Sequence, residues 1–221
     1  MRELTRTSIL PVVLALVMLP ALAAADSIRE TGPVATEDPP EATVWNVDAS
    51  HTEINFSVKH FFTPVTGTFK SHEIDLVFDP ENLENSSVTV AIDVASIDTR
   101  NERRDNHLRS ADFFNADEHP RMLFESRTVE QVGPDRFVAR GDLTIKDTTK
   151  EIELPITLLG VKDIPEGSMR EMLGGVTQVA SFQATTQLDR REFQVGVANW
   201  AQTVIVGGEV DVTIALEANR K

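Results

Sequence analysis

From Trp45 onward, apolar and polar residues alternate with a period of two, the spacing of strands that bury one face. Ile54, Phe56, Val58 and His60 share one face of a run. Ile74, Leu76 and Phe78 share a face of the next, which stops at the turn pair Asp79-Pro80. The pattern recurs at Val88, Val90, Ile92 and Val94, at Met122, Phe124 and Ser126, and at Phe137, Ala139, Gly141, Leu143 and Ile145. It recurs again at Ile152, Leu154, Ile156 and Leu158, at Val176 through Phe182 to Thr186, and at Val210, Val212, Ile214 and Leu216. Gly133-Pro134-Asp135 predicts a hairpin turn between two of these runs. Three stretches lack alternation. Residues 101–112 predict a short helix followed by a loop, 61–69 a loop around Pro64 and Gly67, and 162–175 an irregular connection with Pro165.

Eight or more antiparallel strands have to hide their edges. Closure into a barrel does this and leaves an interior that holds a small ligand. A two-sheet sandwich accommodates the same strands, and the pattern by itself does not separate the two.

The N-terminus changes the domain picture. Arg2 and Arg6 precede an uncharged run rich in Leu, Val and Ala, and Ala23-Ala24-Ala25 follows. Residues 1–25 therefore read as a cleaved signal peptide, with Pro11 and Pro20 shortening any membrane-spanning helix. Residues 26–42, rich in Pro and acidic side chains, read as a disordered arm, and 43–221 as one domain. The expected location is the periplasm, with no stable membrane span once the signal is removed. The net charge of −14 excludes tracking of nucleic-acid phosphates, and an anionic lipid surface repels the average surface of such a chain. There is no cysteine, so the fold has no disulfide to rely on.

Two blocks carry a family resemblance. One is Trp45-x-x-Asp48-x-x-His51-Thr52-x-x-x-Phe56-x-Val58-x-His60. The other is the charged run Arg103-Arg104-Asp105-Asn106-His107-Leu108-Arg109, which leads into Phe113-Phe114. Gly67-x-Phe69, Phe78-Asp79-Pro80, Ala95-Ser96-Ile97-Asp98-Thr99, Phe124-x-Ser126, Gly141-Asp142-Leu143-Thr144-Ile145-Lys146 and Asp189-Arg190-x-x-Phe193 follow in order. Together they resemble the YceI-like family of secreted, lipocalin-like proteins associated with polyisoprenoids and other long-chain apolar ligands. Gln194 and Asp147 stand where that family more often has glycine. The resemblance implies an all-β fold, a closed antiparallel barrel of about eight strands. It also implies a periplasmic carrier that sequesters an apolar chain. Two rivals are a stress-response interaction module with a solid core, and a binder of a quinone-like or amide lipid serving a redox partner. The protein partner is unknown.

No catalytic motif stands out, and the expectation is a binding protein rather than an enzyme. There is no G-x-S-x-G, and the five histidines are scattered without metal-ligand spacing, so no metal is expected. No cofactor is expected beyond a bound isoprenoid or other lipid. The candidate apolar lumen is Ile54, Phe56, Val58, Phe69, Leu76, Phe78, Val90, Ile92, Phe113, Phe114, Phe124, Leu143 and Phe182. Arg104, His107 and Arg190 are candidates for a charged head group, because Arg forks suit phosphate oxygens. On a helix, Asp105 and Arg109 also predict a stabilising i,i+4 pair.

Overall fold

A computed structural model describes residues 44–221; the expected signal peptide and acidic arm lie outside the described residues. Eleven strands and two short helices follow in order. They are β1 Val44–Val47, β2 Glu53–His60, β3 Thr63–Phe69, β4 His72–Val77, β5 Ser87–Asp93, β6 Ile97–Asp98 and α1 Glu102–Arg109. Then come β7 Arg121–Gly133, β8 Arg136–Ile145, β9 Thr148–Asp163, α2 Ser168–Met172, β10 Gln178–Asp189 and β11 Val206–Arg220. Among the described residues no helix is long and apolar enough to cross a membrane.

All strand pairs are antiparallel. The meander β4-β5-β7-β8-β9-β10-β11 is closed by β1, which pairs with β4 through Trp45↔Leu76 and with β11 through Val47↔Ala218. Eight strands thus form a closed ring, and β2, β3 and β6 continue the wall beside the first half of β11. Closure removes the free edges that a sandwich would retain.

Residues 61–69, expected as a loop, are instead the tip and second strand of a hairpin. Every residue from Thr63 to Phe69 pairs with β2. Pro64 is tolerated because it lies next to the turn, and Gly67 makes room for an aromatic neighbour. A Cβ there would stand 2.4 Å from the Phe56 ring. The expected short helix is α1, capped by the Asn101 side chain, which accepts from the Arg104 N–H. The Asp105–Arg109 pair does not form. Buried Asp105 accepts from the Thr99 N–H at 2.9 Å and from its hydroxyl. Arg109 donates to the carbonyls of Ala95 and Ile97, both at 2.8 Å. Backbone groups left over at the β6 bend outcompete a weak surface ion pair.

The two barrel ends are closed differently. At the lower end, Phe78 meets Phe137 and Phe182 edge-on at 5.2 and 5.3 Å, and the Trp45 indole N–H donates to the Phe78 carbonyl. At the upper end, α1 and the connection from β10 to β11 cover the opening. Arg190, 6% exposed, anchors that connection by donating to the carbonyls of Val195 and Gly207 at 2.7 Å, Val206 at 2.9 Å and Gln202 at 3.4 Å. Gly196, with φ 85°, permits this, since a Cβ would lie 2.2 Å from Arg190 Nη1.

Where β1 hands over to β2, the chain turns through a 3-10 turn at Ala49–His51. The Asp48 carboxylate accepts from the Ser50 N–H at 2.8 Å and faces His51 Nδ1 at 3.0 Å, with Glu217 at 3.7 Å. The hydrogen bond to Asp48, then the fields of Asp48 and Glu217, raise the His51 pKa above its ordinary 6.5.

Two outcomes follow for stability. Arg190→Met keeps the aliphatic stem but strands the carbonyls. It should cost on the order of 3 kcal/mol in urea unfolding. For His51, a raised folded pKa means the stabilisation is fully present below the ordinary histidine pKa and lost as pH rises through the raised value. The thermal midpoint of wild type should therefore exceed that of His51→Gln most below the ordinary histidine pKa, with the gap closing as pH rises through the raised value. A gap independent of pH would show that His51 acts only through a neutral hydrogen bond.

Candidate functional site

The inward faces of the strands do not meet. Between them lies a cavity of about 170 Å³ in the upper half of the barrel and a second of about 60 Å³ below it. Val90, Leu154 and Ile214 line both, forming an aliphatic neck between the two spaces. The upper wall is apolar apart from Asn55, Thr186 and Arg190. The core is therefore not the solid one that an interaction module would have.

Ten of the residues assigned inward from the sequence line the upper cavity: Ile54, Phe56, Val58, Phe69, Val90, Ile92, Phe113, Phe114, Phe124 and Leu143. Leu76, Phe78 and Phe182 line the lower one. Phe56, Phe69 and Phe114 form a continuous row, with ring centroids 5.5 and 6.1 Å apart. Phe114 arrives from the loop after α1, so the row joins a wall strand, a hairpin strand and the upper cover. Other lining residues escaped the sequence reading. Val210, Val212 and Ile214 had the right alternation. Phe193 and Val195 sit in a stretch without any period, and only the fold brings them inside.

The head-group candidates are not brought together. The Arg104 guanidinium donates to the hydroxyl and carbonyl of Thr99 at 2.7 and 2.8 Å, and is absent from the cavity wall. His107 faces Asp112 at 3.0 Å and packs edge-on against Phe113 and Trp200. Arg190 alone reaches the wall, but its donors serve the four carbonyls of the upper connection. The reason is common to all three: bends and loops leave carbonyls and carboxylates that need partners, and nearby cations meet that need first.

Register places His72 on the same face of β4 as Ile74 and Leu76, opposite Ile92. Both its ring nitrogens are buried without a hydrogen-bond partner. Among the described residues, one group converges as metal ligands would. Asp48, His51 and Glu217 have ligand atoms within 4.8 Å of one another, on the outer wall and already engaged in the β1–β2 turn.

Comparison with known proteins agrees with this architecture. The profile of the YceI-like domain matches residues 45–218. Protein YceI of Escherichia coli is 34% identical over 149 residues, 67% of this chain and 73% of its own length. The crystal structure of Burkholderia cenocepacia BcnA superposes with a TM-score of 0.67 at 26% identity, covering 78% of this chain and 99% of BcnA. A polyisoprenoid binding domain from Saccharophagus degradans superposes with a TM-score of 0.57 at 12% identity, covering 80% and 98%. With its barrel matched from Trp45 to Ala218, the chain belongs to the YceI-like family.

Proposed function

We propose that this protein binds a long apolar chain, such as a polyisoprenoid, inside the barrel and carries it through the periplasm without covalent change. The observation that carries this reading is the upper cavity, walled by strands, covered by α1 and the β10–β11 connection, and lined almost wholly by aliphatic and aromatic side chains. The Saccharophagus degradans barrel is described as a polyisoprenoid binding domain, and the resemblance of fold is consistent with a ligand of that class. A wall whose polar members are Asn55, Thr186 and Arg190 pairs no nucleophile with a base, which favours holding over reacting.

Magnitudes set how the ligand enters. An apolar void of about 150 Å³ takes a molecule the size of benzene. The upper cavity, at about 170 Å³, therefore receives only the leading end of a chain as it stands. Rotation of Val90, Leu154 and Ile214 at the neck joins it to the lower space. Each buried methylene then contributes about 0.8 kcal/mol, so roughly two to six of them offset three displaced rotamers at about 0.5–1.5 kcal/mol each. The aromatic seal of Phe78, Phe137 and Phe182 sets the depth at which the chain stops.

Mass spectrometry of an organic extract of the purified protein should find a long apolar compound in it. Delipidated wild type should gain about 2.7 kcal/mol from a ligand at a hundredfold excess over Kd, read as a rise in thermal midpoint. Phe56→Arg puts a cation among the row of rings and should abolish that rise. The variant should still fold, because the guanidinium can extend past half-buried Val58 to water. No rise for delipidated wild type with any apolar chain offered would sink the carrier reading.

A further inference from the structure

The chain holds 35 Asp and Glu, yet none falls in 54–72 or in 193–208. The second stretch has no charged residue of either sign, and the first has Lys59, Lys70 and two histidines. The fold joins these two acid-free stretches. His60 pairs with Val206, and the Phe61 N–H donates to the Ile205 carbonyl at 2.7 Å. Where they meet, four large apolar side chains point to solvent: Phe62 is 94% exposed, Val204 73%, Phe61 55% and Ile205 42%. The patch borders the upper cavity, because Val206 follows Ile205 directly and Val58 stands three residues before Phe61. Both line that space.

Neither folding nor solubility favours this composition. Phe61 and Phe62 form the two-residue turn between β2 and β3, and Phe61 has φ 52°. Such turns favour Asn or Gly, and a bulky residue at positive φ is strained. Acids that flank the second stretch in sequence have cationic neighbours. Glu192 pairs with Lys150 at 3.5 Å, and Arg191 pairs with Asp189 and lies in the field of Glu209.

We propose that this barrel end docks on an anionic lipid bilayer, with the Phe61-Phe62 tip entering the boundary between headgroups and acyl chains. The proposal rests on the carrier reading. A strongly acidic molecule is repelled by such a surface except where it presents no acid, and here the two acid-free stretches that meet at His60 and Val206 carry the exposed apolar tip and Lys59. Docking by this end sets the cavity wall at Val58 and Val206 against the membrane, so an apolar chain passes between bilayer and barrel without crossing water.

The test compares exported wild-type protein with Phe62→Asp and Lys59→Glu in flotation with vesicles of phosphatidylethanolamine and phosphatidylglycerol. Wild type should float, more weakly at high salt, and each variant should lose about tenfold or more in partition. Phe62→Asp should keep the wild-type thermal midpoint and its rise with geranylgeraniol added from solution, while loading from vesicles slows in parallel with flotation. Equal flotation of wild type and Phe62→Asp would overturn the proposal. So would a wild-type dimer that Phe62→Asp disperses, without vesicle binding by either, because the patch would then be an interface between copies. Loss of the geranylgeraniol response in wild type with flotation intact would remove the carrier reading and leave the docking surface standing.

Discussion

The structure depends on backbone hydrogen bonding along the two edges of β1. This strand has only four residues, Val44–Val47, yet it pairs with β4 on one side and β11 on the other. Without it the long meander has two free edges and no reason to curl shut. With it, each inward side chain looks across at another strand of the same sheet rather than at a second layer. Trp45 is the anchor: it is buried, its indole N–H donates to the Phe78 carbonyl, and the Arg220 guanidinium lies 5.3 Å from its ring centre.

A ring of eight strands is wide enough either to be filled by side chains or to hold one small ligand, and too narrow for an aqueous channel. The lower end is largely filled, by Phe78 packed edge to face with Phe137 and Phe182 and by the small residues Ala180 and Ala218. The upper end does not fill. There β11 changes partner from β1 to β2, which the Asp48–Thr52 turn joins, and the added hairpin continues the wall. The cover of α1, Phe114 and the Arg190-tied connection closes over the space instead of occupying it. The same geometry explains why the basic residues near the top serve structure. A wall that bends exposes backbone carbonyls, and Arg104, Arg109 and Arg190 each satisfy some of them.

Much of this was legible in the chain. A period of two over eight runs determined antiparallel strands, and the side chains on one phase of each run are those that face inward; Ile54, Phe56 and Val58 are an example. Turn chemistry marked Pro134-Asp135, and the charged run before Phe113 marked α1. Alternation is a local property of the backbone, so a sequence displays it. The hairpin strand β3 escaped because Pro64 and Gly67 imitate a loop, and only pairing with β2 makes them strand residues.

What the tertiary structure decided is what distance along the chain conceals. Closure by β1 joins residues 173 positions apart at Asn46 and Asn219, and no local pattern separates a barrel from a sandwich. Empty space is equally invisible: a cavity is a difference between wall and contents, and Val90, Leu154 and Ile214 look the same in a sequence whether they touch or leave a neck. Charge partners follow the same rule. Arg190 resembled a phosphate fork by type, but folding surrounded it with carbonyls from 195–207 before any ligand could reach it. The sequence by itself therefore determined strand faces and residue chemistry, which are local. The fold alone decided which faces enclose a void and which charges are already used, because both depend on atoms brought together from distant parts of the chain.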